Sequence, residues 1–288
     1  MTTVCAAVLA AAAAHAAQPA AWDNLDQSRH LAGRMTSPGY MRGKVVLIDR
    51  RDYGVRSCVD AARRMEETWR AFKPKQFVLL GSHSGEAGAE KIARIAKGLS
   101  LTYPIYAQAW LASGNGEGAP AVADGTVCVV DCTGKVLYMG RDDRQAVSVV
   151  ANALMAMRSP QTVKQWRHYI DFEIDVLPGR ALNRITEFRK AFPKDAKDYD
   201  VAWKQLSSND DIRRVAKLEA LTLQAKDYDF KDKSARRLDP KKVKLAADAF
   251  ADLKESRNEA VVQEAKNCIA DLTWALAELE GGKGRKKK

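Results

Sequence analysis

The stretch Gly43-Lys44-Val45-Val46-Leu47-Ile48-Asp49 is followed by eight residues of loop and then by Cys58, which opens a run of helical periodicity. Val45 to Ile48 is continuously apolar and mostly β-branched, the mark of a strand covered on both faces. From Cys58 to Phe72 the apolar residues Val59, Ala62, Met65, Trp69 and Phe72 recur at spacings of three and four, which predicts one buried helical face. Phe77 to Leu80 repeats the strand pattern and ends in Gly81. Ala87 to Ile95 repeats the helical one, with Ala89, Ile92 and Ile95 inward, Lys91 and Arg94 outward, and Gly98 as its stop. Two strand-helix units joined by short loops predict a parallel pair with right-handed crossovers.

Further along, Tyr103 to Tyr106 reads as a short strand and Ser113 to Gly118 as a Gly-rich loop. Thr126 to Val130 and Lys135 to Met139 flank Asp131-Cys132-Thr133-Gly134, whose Asp and Gly suit a tight hairpin turn. Arg141 to Met157 closes this unit as a helix with Ala146, Val149, Val150 and Leu154 inward. Residues 18–42, broken by Pro19, Gly33, Pro38 and Gly39, read as a lead-in of turns.

After Ser159-Pro160 the strand signals stop. Helical spacing appears in Trp166 to Val176, Ala181 to Phe192, Val201 to Leu206, Ile212 to Ala225, Val243 to Leu253 and Val261 to Leu279, with Pro178, Pro193 and Pro240 between runs. Val261, Ala265, Ile269, Leu272, Leu276 and Leu279 form a stripe that must pack, and Cys268 beside it reads as a small core residue. The fold class expected is an α/β domain, a mixed sheet flanked by helices, followed by an all-helical C-terminal domain. Its boundaries are placed at 18–158 and 159–281, with residues 1–17 as a signal peptide and 282–288 as a basic tail.

Met1 to Ala17 is an apolar, alanine-rich run with Ala14 and Ala16 placed like small residues before a cleavage point, although a basic start is missing. It predicts a signal peptide and a periplasmic or extracellular protein. The formal charge of +11 raises the question of a polyanion partner. Residues 161–288 carry 28 basic and 22 acidic side chains, and the tail from Lys283 to Lys288 supplies five of the basic ones, so the rest is an ordinary mixed surface. A weak contact of that tail with a membrane surface or polyanion is compatible with this pattern, and specific nucleic-acid reading is not expected. Cys58, Cys128, Cys132 and Cys268 are too sparse for a disulfide scaffold, and with His30, His83 and His168 they show no zinc spacing. Neither a metal nor a cofactor is expected.

Gly43 to Asp49, Cys58 at a helix start, and the run Val129-Val130-Asp131 to Gly134-Lys135-Val136-Leu137-Tyr138-Met139-Gly140, trailed by Arg141-Asp142-Asp143-Arg144, occur in a telling order. Together they resemble the thioredoxin-like proteins of bacterial envelopes, of the thiol-disulfide oxidoreductase or redoxin type, over about residues 41–157. In that family the strand ending in Asp leads into a loop that finishes Trp-Cys-x-x-Cys. By the same count Val55 stands at the attacking-cysteine position here and Cys58 at the resolving position. The resemblance also implies a cis-proline just before the hairpin, and Gly125 occupies that place, with the nearest proline, Pro120, five residues earlier.

The attacking cysteine of such a pair owes its reactivity to a helix N-terminus that stabilises its thiolate, and the second sulfur then releases the mixed disulfide. Valine does neither, so an intramolecular dithiol cycle is not expected. The leading expectation is a thioredoxin-like protein with a degenerate active-site pair, working as a protein-binding or assembly module for an unidentified protein partner. The alternative is a single-cysteine thiol oxidoreductase or redox sensor using Cys58, with Arg56 and His83 as helpers. Cys128 and Cys132 are a further candidate redox pair, but four residues along a strand separate Cα atoms by about 13 Å, beyond disulfide reach.

Overall fold

A computed structural model describes residues 25–72, 76–109, 123–226 and 251–284. The Met1–Ala17 run, the Gly-rich stretch, Pro120, most of the Val243 to Leu253 run and the last four basic residues lie outside the described residues.

The apolar run beginning at Val45 forms β2 (Val45–Arg51), the strand on which the sheet is organised. β3 (Phe77–His83) pairs with it in parallel, Val45 opposite Phe77 through Arg51 opposite His83. β4 (Ile105–Ala107) extends the parallel set beyond β3. On the other side β5 (Thr126–Val130) runs antiparallel to β2, and β6 (Val136–Gly140) antiparallel to β5. A short β1 (His30–Ala32) pairs antiparallel with β4, giving the order β1-β4-β3-β2-β5-β6. The lead-in is therefore more than turns: it holds β1 and a one-turn helix α1 (Pro38–Met41), capped by Ser37. Three residues with little alternation gave no strand signal; β1 owes its pairing to the exposed edge of β4.

Helices α2 (Val59–Phe72), α3 (Ala89–Gly98) and α4 (Asp143–Arg158) supply residues to one apolar cluster. There Met65, Ile92 and Val150 meet Leu47, Leu79 and Val129. Both strand-helix crossovers step in the same direction along the sheet, which places α2 and α3 on one face when each is right-handed. Alternate strand residues Val46, Ile48, Val78, Leu80, Cys128 and Val130 form a second cluster with Met41 on the other face. Gly98 does not stop α3 but ends it from within; the left-handed residue that turns the chain is Ser100 at φ 55°. The mixed sheet and its flanking helices are those of a thioredoxin-like domain.

The helical half comprises α5 (Val163–Val176), α6 (Pro178–Ala191), α7 (Asp200–Ser208), α8 (Asp210–Lys226) and α9 (Glu259–Gly284) among the described residues. Thr162 and Gln165 form a capping box at the start of α5, and Pro178 opens α6 at the position where a missing N–H costs nothing. Ile185, Phe188, Val215, Val261, Cys268 and Leu272 build its own core.

This half packs on the edge where β2 and β3 begin. Arg180 donates from Nη1 to the Gly43 carbonyl at 2.7 Å, and Gln76 donates from Nε2 to Glu219 at 3.0 Å. Lys44 pairs with both oxygens of Asp271 at 3.0 Å, and the Tyr40 hydroxyl donates to Asp271 at 2.6 Å. Gly43 sits at φ +72°, and an added Cβ would lie 2.1 Å from Leu177 Cδ1, so glycine alone permits this approach. Among the described residues no helix is long and apolar enough to cross a membrane.

Candidate functional site

β2 and β3 end on the edge opposite the helical half, and there the loop 52–58 turns into α2. Val55 precedes a short 3-10 turn, Arg56–Cys58, and its carbonyl accepts the Cys58 N–H at 3.2 Å. Val55 is 42% exposed, whereas Cys58 is 9% exposed. Position 55 thus faces solvent and position 58 lies one turn inward. Of these two side chains, the accessible one is a hydrocarbon.

The Cys58 thiol is pushed above its ordinary range, first by burial and then by the Asp124 carboxylate, against opposing pulls from Arg51 and a Ser57 hydrogen bond. The helix-start position and Arg56 were expected to favour thiolate. Arg56 is exposed and is not among the groups that act on Cys58. His83 is on the expected edge but does not serve Cys58 either. Its Nδ1 accepts the Tyr53 N–H at 3.2 Å and lies 3.7 Å from Asp52, and its Nε2 is buried without a partner among the described residues.

Asp124 is held in place by two groups: its Oδ1 accepts the Asp52 N–H at 2.8 Å and the Ser84 hydroxyl at 2.6 Å, and from there its charge bears on Cys58. Next to it Gly125 adopts φ +80° and donates its N–H to the Arg50 carbonyl at 2.8 Å. No heavy atom lies within 4 Å of the position a Cβ would take at Gly125. No cis peptide bond occurs among the described residues.

Beneath the loop lies a charged network. Asp49, Arg51 and the buried core residues Val45 and Leu47 share one strand face by their period of two. Arg51 Nε donates to Asp49 Oδ1 at 2.6 Å, its Nη2 pairs closely with Asp143, and Arg64 reaches the other oxygen of Asp143 at 3.2 Å. The Tyr53 hydroxyl donates to Asp49 Oδ2 at 2.9 Å. Burial pushes the Asp49 carboxyl up to about 6, although Arg51 and Tyr53 pull it down. Arg51 and Asp143 were not singled out from the sequence as site residues. The signal was available: Arg51 is two residues after Asp49 on the same strand face, and Asp143 belongs to the Arg141-Asp142-Asp143-Arg144 run.

Cys128 and Cys132 are not a pair. Cys128 lies in the cluster on one sheet face and Cys132 in the cluster on the other. Both are buried and free, and burial pushes the Cys128 thiol up to about 12 and the Cys132 thiol further still. Cys268 packs in the helical core and its thiol donates to Glu219 at 3.1 Å.

No family model and no curated protein matches the chain. Among solved structures, the chain is similar to a thiol-disulfide isomerase from Corynebacterium glutamicum at 18% identity, covering 47% of this chain and 96% of that one, with a TM-score of 0.37. It is similar to a thiol:disulfide interchange protein of the thioredoxin family from Chlorobium tepidum at 18% identity, over 42% and 88% of the two chains, TM-score 0.32. A secreted Mycobacterium tuberculosis disulfide oxidoreductase matches at 14% identity, over 42% and 92%, TM-score 0.32. The mixed sheet and its flanking helices are of the thioredoxin-like fold.

Proposed function

We propose that the chain is an exported thioredoxin-like protein lacking the usual dithiol pair, whose α/β domain serves as a protein-binding or assembly module. The observation that carries this reading is the exposed Val55 at the turn where a reactive sulfur belongs, with Cys58 buried behind it. A thiol held above its ordinary range supplies little thiolate near neutral pH, and thiolate is the attacking species. The sheet and its loops remain available as a recognition surface because fold and chemistry are separable. Export rests on the Met1–Ala17 run, and contact of the basic tail with an anionic surface is a minor part of the proposal.

Insulin reduction by dithiothreitol, followed as turbidity, tests the catalytic half of this reading. Wild type and Cys58→Ser are expected to run together at the uncatalysed rate. Turnover by wild type that vanishes in Cys58→Ser would instead establish the single-cysteine alternative.

A further inference from the structure

A cleft of about 710 Å³ opens between the segment after β1 and one face of α9, at the sheet edge remote from Cys58. Its size falls in the range of small-molecule sites, and a junction between two packed halves is a usual place for one. The wall combines aromatic and apolar surface from Trp69, Trp274 and Met35 with the cations Arg34 and Lys266. Met35 is 53% exposed and adds apolar surface at the cleft's rim.

The charges in this cleft do not cancel. Asp271, the acid in the wall, already holds Lys44 and the Tyr40 hydroxyl. Arg34 and Lys266 are exposed, and their side chains make no ion pair or hydrogen bond among the described residues. Among the described lining residues, Arg34 and Lys266 are therefore two cations beside one carboxylate, Asp271, that already has partners.

In the same wall the Thr36 hydroxyl is buried and unbonded among the described residues; His30 Nε2, also unbonded there, belongs to a ring that packs on Tyr106 outside the lining. The intervening Tyr106 is fully committed: its ring packs edge-on against His30, and its hydroxyl takes the Thr36 N–H at 2.8 Å and donates to the Thr36 carbonyl at 2.9 Å. Buried polar groups are normally satisfied, so orphans beside a cleft point to an occupant that brings acceptors.

We infer that this cleft binds a small anionic molecule with a flat apolar body, its anion between Arg34 and Lys266 and its body along Trp69, Trp274 and Met35. The site is separate from the thiol edge and uses the helical half as one wall. That gives α9 a role in ligand recognition beyond packing.

The test titrates the full chain with anilinonaphthalene sulfonate and, separately, with phenylnaphthylamine, which has the same rings without the charge. The sulfonate is expected to saturate at one per chain and to quench tryptophan emission. Arg34→Gln combined with Lys266→Gln is expected to weaken the sulfonate about tenfold while leaving the neutral dye in place. Met35→Glu, at an exposed position, is expected to weaken both dyes, and Cys58→Ser neither. Circular dichroism and melting of each variant establish that it is folded. Sulfonate affinity unchanged by loss of both cations, dye binding indifferent to Met35→Glu, or titration without saturation would overturn the inference.

Discussion

Val55 and Cys58 are three residues apart in one turn, joined by a backbone hydrogen bond, yet only the valine meets solvent. This geometry brings the two Cα atoms into the range a disulfide needs. Val55→Cys is therefore expected to give a bond to Cys58 that oxidised glutathione forms and dithiothreitol opens, read as a mass shift after alkylation. A variant that stays fully alkylated under oxidant would show that position 55 does not face Cys58 as described. The count from Asp49 puts valine at position 55, and the structure shows that side chain exposed at the turn. What the count could not give was the field around Cys58. Asp124 arrives from the loop before β5, far along the chain, and Arg51 displaces Arg56 as the nearby cation.

Elements were legible where their pattern was long. β2, β3 and β5 follow from continuous apolar runs and α2 from a spacing of three to four; β5 and α2 form close to their expected bounds, while β2 and β3 run on past Ile48 and Leu80 to Arg51 and His83. β1 and α1 were not, because three or four residues carry no period and their pairing comes from neighbours. Nor did the sequence show that α9 would place Glu264 inside the molecule, where its two oxygens accept the N–H groups of Gly179 and Arg180 at 2.8 Å at the start of α6. Burial and the Glu219 charge push its carboxyl up from 4.5 to about 8, against Arg180 and those N–H groups. A carboxyl whose folded value is raised binds its proton more tightly folded than unfolded. Its contribution is full below the unfolded value and is lost as pH climbs through the folded one. The melting temperature is accordingly expected to fall between about pH 5 and about pH 8, with Glu264→Gln flattening that slope. A slope unaltered by the substitution would place the titration elsewhere.

At the scale of the molecule, the helical half packs on the edge where β2 and β3 begin, opposite the edge that carries Cys58. Buried charges hold that junction, so breaking one leaves its mate uncompensated. Lys44→Met removes the buried cation bound to both oxygens of Asp271 and is expected to cost about 3–5 kcal/mol in urea unfolding. A loss below about 1 kcal/mol, the worth of an exposed pair, would mean that the junction is open to water. The helical character of this half was readable from its sequence, but its docking was not, since residues such as Lys44, Arg180 and Asp271 look like surface charges until their partners are known. The central claim concerns sulfur: none of the four described cysteines is poised to attack. Time-resolved alkylation of the native protein near neutral pH, read cysteine by cysteine in a mass spectrometer, tests it most directly. Slow labelling of Cys58, Cys128, Cys132 and Cys268, accelerated sharply by denaturant, is the predicted result. Rapid labelling of native Cys58, with a titration below the ordinary thiol range, would contradict it.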